Sequence, residues 1–292
     1  MEKLFQAVYS GILYGSIYGL MAIGLTLIWG SFRMLNLAHG SLYLVGGYVA
    51  WTAINKLGLP PLPSFALGVM GAAVVGLIIQ VLLINRLLGS SWFFNAAMIA
   101  TVGASIVLES SALLIFGPRV KLMPPILEGH FKIGTVLISY QALFIIGIAV
   151  ISLILLNLFL GRTRQGLAIQ AVSQQMDAAQ LMGIPSISTF MIVMAISAAL
   201  AGLAGVLLSS VFYLAPTSGF NPMIKALVVT IFGGLGSVKG TIWAAYIIGL
   251  LEAFLQVYFG AGAALPGLFL FMIVMLTIRP TGLFGLGEAQ RL

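Results

Sequence analysis

The sequence predicts an all-α integral membrane protein, a polytopic helix bundle with about eight or nine transmembrane segments. Three observations carry this. Of 292 residues, 61% are hydrophobic and 7% charged, against about 25% charged in soluble domains. A water-soluble fold of this length could not hide so much apolar surface. Charge-free runs at 4–32, 57–85, 87–108, 133–161, 178–224 and 253–278 are each long enough for a helix of about 20 residues to cross the hydrocarbon. The alternating strands of about ten residues that build a membrane β-barrel are absent.

Taken in order, the first segment, about 6–30, follows Glu2 and Lys3. It exceeds the 7–15-residue core of a signal peptide, roughly twofold, and is expected to remain as a span. The second covers about 38–55, and Pro60, Pro61 and Pro63 mark the turn before the third, 63–85. After the fourth, 93–116, a loop over 117–138 contains Pro124 and Pro125. Its end, Thr135–Ser139, reads equally as the start of a span or as a short strand. The fifth segment is 139–160, and the sixth, 188–212, follows the polar run 162–188. The seventh, 223–236, is short enough that it need not cross fully; the eighth and ninth are 240–258 and 263–278. Arg162 and Arg164 put the polar run on the cytoplasmic side. Nine spans then place the N-terminus outside, with Arg33, Arg86, Lys239, Arg279 and Arg291 inside; eight would put the C-terminus outside.

Small residues recur at helix-packing spacing: Gly11, Gly15 and Gly19; Gly68, Ala72 and Gly76; Ser197, Ala201 and Gly205. Such faces let helix backbones approach closely where lipid offers little hydrophobic drive to associate. A compact bundle follows from them, but no function does.

Several functions are excluded. The net charge of +7 comes from basic residues scattered singly, which suits orientation of spans rather than nucleic-acid binding. Without cysteine there is no disulfide, thiolate metal site or Cys nucleophile. Two histidines, with no HExxH and no GxSxG, do not make an intramembrane hydrolase. The run GGLGSVKGT at 233–241 lacks phosphate-loop order, because Gly240 follows Lys239. A tight turn is expected there, and no catalytic residue, metal or cofactor is expected in this chain.

Polar groups at membrane depth are the candidates for function. If a helix starts near residue 36, Asn36, His39, Gly40, Tyr43 and Gly47 share one face. Such a stripe should not face lipid. It either lines a path or a subunit interface, or Asn36 caps the helix and His39 bonds a neighbouring carbonyl. Thr101, Ser105 and Glu109 share another face, and Glu252 and Gln256 a third. With no intramembrane Arg or Lys counted beside these acids, interhelical contacts are favoured over a proton relay.

Within 162–188, Ser173 is placed to cap a short helix over 174–182, with Asp177 in its N-terminal half. Gly183 suits the left-handed terminating position and Pro185 prevents continuation. A short helix terminated at both ends suits docking into a groove on a partner.

Asp177-Ala178-Ala179-Gln180-Leu181-Met182-Gly183 is similar to the EAA-x3-G motif of ABC importer permeases, with Asp in place of Glu. The I-x-L-P continuation of many type I permeases is absent, since 193–196 read VMAI. NLAHGSLYLVGGYVA at 36–50, AVSQQMDAAQLMGI, SAALAGLAGVL, GFNPMIKALVVTIFGGLGSVKG at 219–240 and RPTGLFG at 279–285 resemble the branched-chain amino-acid permease family of the LivH type, in order along nearly the whole chain. The resemblance implies one permease domain over 1–292 with a cytoplasmic coupling loop at 162–188. Its architecture would be type II-like, less one N-terminal helix, in a bacterial or archaeal inner membrane. It implies coupling residues at Asp177, Ala178, Ala179 and Gly183. The implied partners are two ATPase subunits that bind ATP and Mg, a second homologous permease in a homo- or heterodimer, and a periplasmic or extracellular binding protein. The implied cargo is a small amino acid such as Leu, Ile or Val; urea and short amides stay open. A proton-coupled secondary transporter using Glu109 or Glu252 is the rival reading, although no inverted repeat or broken helix pair is evident.

Overall fold

A computed structural model describes residues 1–133 and 136–285. Thr135 and Arg291, named above, lie outside the described residues. All nine expected hydrophobic segments are helical. They are α1 (Glu2–Phe32), α2 (His39–Asn55), α3 (Pro61–Ile79) continued through a π-turn and α4 (Asn85–Leu87), α5 (Phe93–Phe116), α6 (Tyr140–Arg162), α9 (Ser186–Ser209), α10 (Phe220–Gly233), α11 (Val238–Phe259) and α12 (Ala264–Ile278). Seven are long and apolar enough to cross a membrane alone; α2, with 17 residues, and α10, with 14, are shorter.

The polar run differs from its expectation. Two helices fill it, α7 (Arg164–Gln174) and the six-residue α8 (Met176–Leu181), with the break at Gln175. Ser173 lies inside α7 and its hydroxyl donates to the Gln170 carbonyl. Thr163 is the actual cap, its hydroxyl accepting from the Gly166 N–H at 2.9 Å. The expected helix 174–182 is therefore shorter and has no side-chain cap. Gly183 does take the left-handed conformation, at φ +81°.

The loop after α5 holds a small antiparallel hairpin, β1 (His130–Ile133) and β2 (Val136–Ser139), in register His130 to Ser139. The strand reading of the loop's end thus holds. Its partner strand carried no alternation signal of its own.

The long helix α1 runs through the middle of the bundle, buried almost continuously from Leu13 to Phe32. It can do so because its glycines admit other backbones. A Cβ on Gly11 would lie 2.7 Å from Leu250 Cα, and one on Gly15 2.9 Å from Tyr246 Cα, both on α11. The second small face, Gly68, Ala72 and Gly76, receives α2 and α9 in the same way. Hydroxyls add cross-helix bonds: Thr26 to Thr241 at 2.8 Å, and Thr230 to the Ala22 carbonyl at 3.0 Å. The turn at 233–241 is as expected. Gly234 and Gly236 have positive φ, and Ser237 caps α11 through the Gly240 N–H.

A close crossing joins α2 to α9, where a Cβ on Gly46 would sit 2.5 Å from the Gly202 backbone. Backbone, unlike a side-chain tip, cannot rotate away. Gly46→Val should therefore cost about 3 kcal/mol, the upper end of overpacking. Thermal unfolding of the detergent-solubilised chain should show a clearly lower midpoint, and an unchanged midpoint would mean that the helices can part here at no cost.

Two helices begin inside the bundle rather than at its surface. After α1 ends at Arg33, residues 34–38 run back without helix and stay largely buried. Irregular backbone at membrane depth must be satisfied by protein. Here the Leu37 N–H donates to Thr101 Oγ1 at 3.2 Å and the Ala38 N–H to Asn36 Oδ1 at 3.0 Å. His39, the first residue of α2, bonds the carbonyl of Met21, midway along α1. On the other side, residues 210–219 descend from the end of α9 until Gly219 abuts Gly40. There α10 starts. The N-termini of α2 and α10 thus meet at depth, a discontinuous pair that the sequence reading did not find. What hides it is that neither segment looks interrupted; the contact is between two glycine backbones far apart in sequence.

Candidate functional site

The stripe 36–47 is enclosed by the chain's own helices. Asn36, His39, Gly40 and Tyr43 are all buried. Asn36 precedes α2 instead of starting it, so it holds the 34–38 turn rather than a helical face; its amide also reaches Met194 Sδ at 3.7 Å. His39 Nε2 pairs with the Met21 carbonyl at 3.0 Å, while Nδ1 has no partner among the described residues. Gly40 faces Gly219, and the Tyr43 carbonyl lies against Gly205.

Glu109 lies on α5 facing α2. Its carboxylate accepts from Ser41 and Ser105, each at 3.2 Å, and the two hydroxyls are 2.8 Å apart. This ties the otherwise lightly held α5 to the bundle.

Glu252 stands differently from its expectation. The sequence reading counted no cation at depth, yet Lys225 lies in the seventh segment and forms an ion pair with Glu252 Oε1 at 2.6 Å. The Lys225 side chain is 20% exposed and that of Glu252 1%. Lys225 also donates to Tyr18 Oη at 3.0 Å, Gln256 donates to Glu252 Oε1 at 2.9 Å, and Tyr14 donates to Gln256 Oε1 at 3.2 Å. Tyr18 is midway along α1, so the network sits about 20 Å from either end of that helix, at 1.5 Å rise per residue. A lone Lys in an apolar segment was the available signal. Its partner, 27 positions away, could be assigned only once α10 and α11 were packed together.

The network's open flank carries the partly exposed Lys225 side chain and, one turn before it on α10, the exposed Asn221. A charged group at membrane depth does not face hydrocarbon. This flank therefore faces either a second subunit or water.

The 162–188 loop lies at the end of the bundle that also holds Arg33, whose guanidinium donates to the Ser173 carbonyl at 3.3 Å. Asp177 and Ala178 are exposed, and Asp177 is in the first turn of α8. Ala179 is turned the other way, 5% exposed and packed into the core. Its small size serves packing within this chain, not the close approach of a partner. The residues that project are Leu181 and Met182, 88% and 83% exposed. They were missed because a LeuMet pair inside a greasy sequence looks like core. A cavity of about 250 Å³ lies between part of α7 and the bundle, lined by Thr26, Ser31, Asn157, Gln170 and Ser173 among others.

Known proteins point the same way. The sequence model of the family described as branched-chain amino acid transport system / permease component matches residues 7–278. The chain is 32% identical to the high-affinity branched-chain amino acid transport system permease protein BraD of Pseudomonas aeruginosa, over 98% of this chain and 97% of that one. It is 30% identical, with the same coverage, to the permease protein LivH of Escherichia coli strain K12. In fold it is similar to the structure of PsaBC from Streptococcus pneumoniae in complex with Fab, with a TM-score of 0.52 over 96% of this chain and 93% of that one, at 18% identity. A nearly all-helical bundle, seven helices able to span among the described residues, and a match along nearly its whole length leave one conclusion: the chain belongs to the branched-chain amino-acid transport permeases, multi-pass inner-membrane subunits of ABC importers.

Proposed function

We propose that this chain forms half of a translocation path for a branched-chain amino acid such as Leu, Ile or Val, driven through its 162–188 loop by ATPase subunits. The observation that carries this is α8. It sits on one end of the bundle, at the place of the family's coupling motif, with Leu181 and Met182 bare. Exposed apolar side chains on a short rigid element are docking anchors. The glycine after them, Gly183, has open space around it, so only its positive φ resists substitution.

In this reading 1–292 is one permease domain and the ATPase partners bind ATP and Mg. Their closure pushes on α8 near Asp177 and Ala178. The cavity beneath the loop gives it room to shift, and the packed helices turn that shift into alternating access. A second homologous permease covers the open flank of α10 and α11, completing the path, and a binding protein outside delivers the cargo. The path's fixed charges, Lys225 and Glu252, cancel, which suits a cargo that is itself a zwitterion.

In vesicles reconstituted with the complete complex and loaded with ATP, labelled Leu, Ile and Val should enter. Uptake should need ATP and ignore a protonophore. Uptake of urea without these amino acids would overturn the cargo assignment, and uptake abolished by the protonophore would overturn the energy source.

A further inference from the structure

Polar bonds hold α5 to the start of α2: Thr101 accepts from the Leu37 N–H, and Ser105 and Glu109 meet Ser41. Past these bonds an apolar cavity of about 430 Å³ lies between the helices. Leu44, Tyr48 and Ala53 of α2, Leu67 of α3, and Leu108 and Phe116 of α5 line it. Asn36 reaches Met194 and Gly47 lies against Ser209, so α2 runs parallel to α9 and the cavity lies toward the end of the bundle away from the 162–188 loop.

Two cations gather at that end. Lys56, directly after α2, stands 5.8 Å from the Phe116 ring centroid, and Lys121 5.0 Å from that of Trp51. The two rings meet edge to face at 6.1 Å. Neither lysine forms an ion pair with a described residue. Tyr48 stacks on the same Phe116 ring at 4.3 Å, and its hydroxyl is buried with no partner among the described residues. Aromatic side chains at a membrane surface are ordinary anchors, but that role leaves a Tyr hydroxyl wet. Here the hydroxyl is enclosed beside an apolar space, where going unpaired is costly. An acceptor that reaches it has to be carried by an apolar molecule.

We propose that this cavity is a binding site for an anionic phospholipid. One acyl chain fills the space between α2, α3 and α5, the ester carbonyl at its head accepts from Tyr48 Oη, and the phosphate lies by Lys56 and Lys121. Tyr48 and Lys56 both pack on Phe116, which sets hydroxyl and ammonium within reach of a single lipid head. The like charges of the two lysines repel each other, and a bound anion relieves that; a zwitterionic head brings an ammonium that they repel in turn. The lipid adds to the Phe116 stack in holding the outer turns of α5 against α2. The site is independent of the cargo and of the coupling loop.

The native chain has no cysteine, and Ser111 also lines the cavity. Ser111→Cys therefore places a single thiol in it. In the full chain, solubilised in detergent and stripped of lipid, dioleoylphosphatidylglycerol should slow the reaction of this thiol with methyl methanethiosulfonate. Dioleoylphosphatidylcholine should do so only at much higher concentration, and inorganic phosphate not at all. Adding Lys56→Gln/Lys121→Gln should raise the phosphatidylglycerol needed for half-protection roughly tenfold or more, the loss of charged contacts, and make the two lipids protect alike. Adding Tyr48→Phe, which keeps the ring, should raise it about threefold to tenfold, the loss of one neutral hydrogen bond. Arg119→Gln, which removes a cation of the adjacent loop outside the aromatic pair, should leave it unchanged. Equal protection by the two lipids in the chain with both lysines, or none by either, would overturn the site. So would protection by inorganic phosphate alone, or a loss on Arg119→Gln as large as that on removing both lysines, which means diffuse attraction.

Discussion

Glu252→Ala should destabilise the chain by about 3 kcal/mol, the low end for breaking a buried pair, because Lys225 keeps one-fifth of its side chain exposed. The carboxylate is the centre of the network. It accepts from both Lys225 and Gln256, and through Gln256 it reaches Tyr14 on α1. Removing it leaves an ammonium at membrane depth with Tyr18 as its one remaining acceptor among the described residues. Glu252→Gln should behave similarly, since the amide restores a hydrogen bond but no charge. An isolated, neutral Glu is close to Gln in shape, but one paired with Lys225 is not. Thermal unfolding in detergent checks it. The midpoint should fall for Glu252→Ala and largely recover when Lys225→Met is added. A midpoint unchanged by Glu252→Ala would show that the pair contributes nothing to the fold.

The second large effect belongs to the tip of α8. Leu181→Asp with Met182→Asp should leave the bundle intact, because both side chains already stand clear of it. Uptake by the reconstituted complex should fall roughly a hundredfold, the loss of two interface anchors, and ATPase subunits should no longer co-purify. Ala179→Arg is a poor test of the same idea, because Ala179 faces the core and its replacement would unseat α8 from within. Native uptake and retained ATPase subunits in the double variant would remove α8 from the coupling role.

Local signals wrote much of this molecule directly into the sequence. Long apolar runs fixed the nine helices, since backbone in hydrocarbon must satisfy itself. Spaced glycines marked the faces that α1, α3 and α9 present to their neighbours, and Gly183, Gly234 and Gly236 marked turns needing positive φ. These features depend on a residue and a few neighbours. The break at Gln175 was less legible: 174–182 has no Gly or Pro to mark it, and the division into α7 and α8 follows packing on the bundle end.

Depth and pairing were decided by tertiary structure alone. Nothing near His39 or Phe220 says that their helices start inside the membrane. That follows from Gly40 meeting Gly219 and from His39 finding the Met21 carbonyl. Likewise Lys225 reads as a lone cation, and Glu252 as a lone acid, until α10 and α11 bring them to 2.6 Å. Sequence specifies a charge and the helix that carries it. Whether that charge is a liability, a structural tie or a site depends on which groups reach it through space, and those come from helices that only the packed bundle brings together.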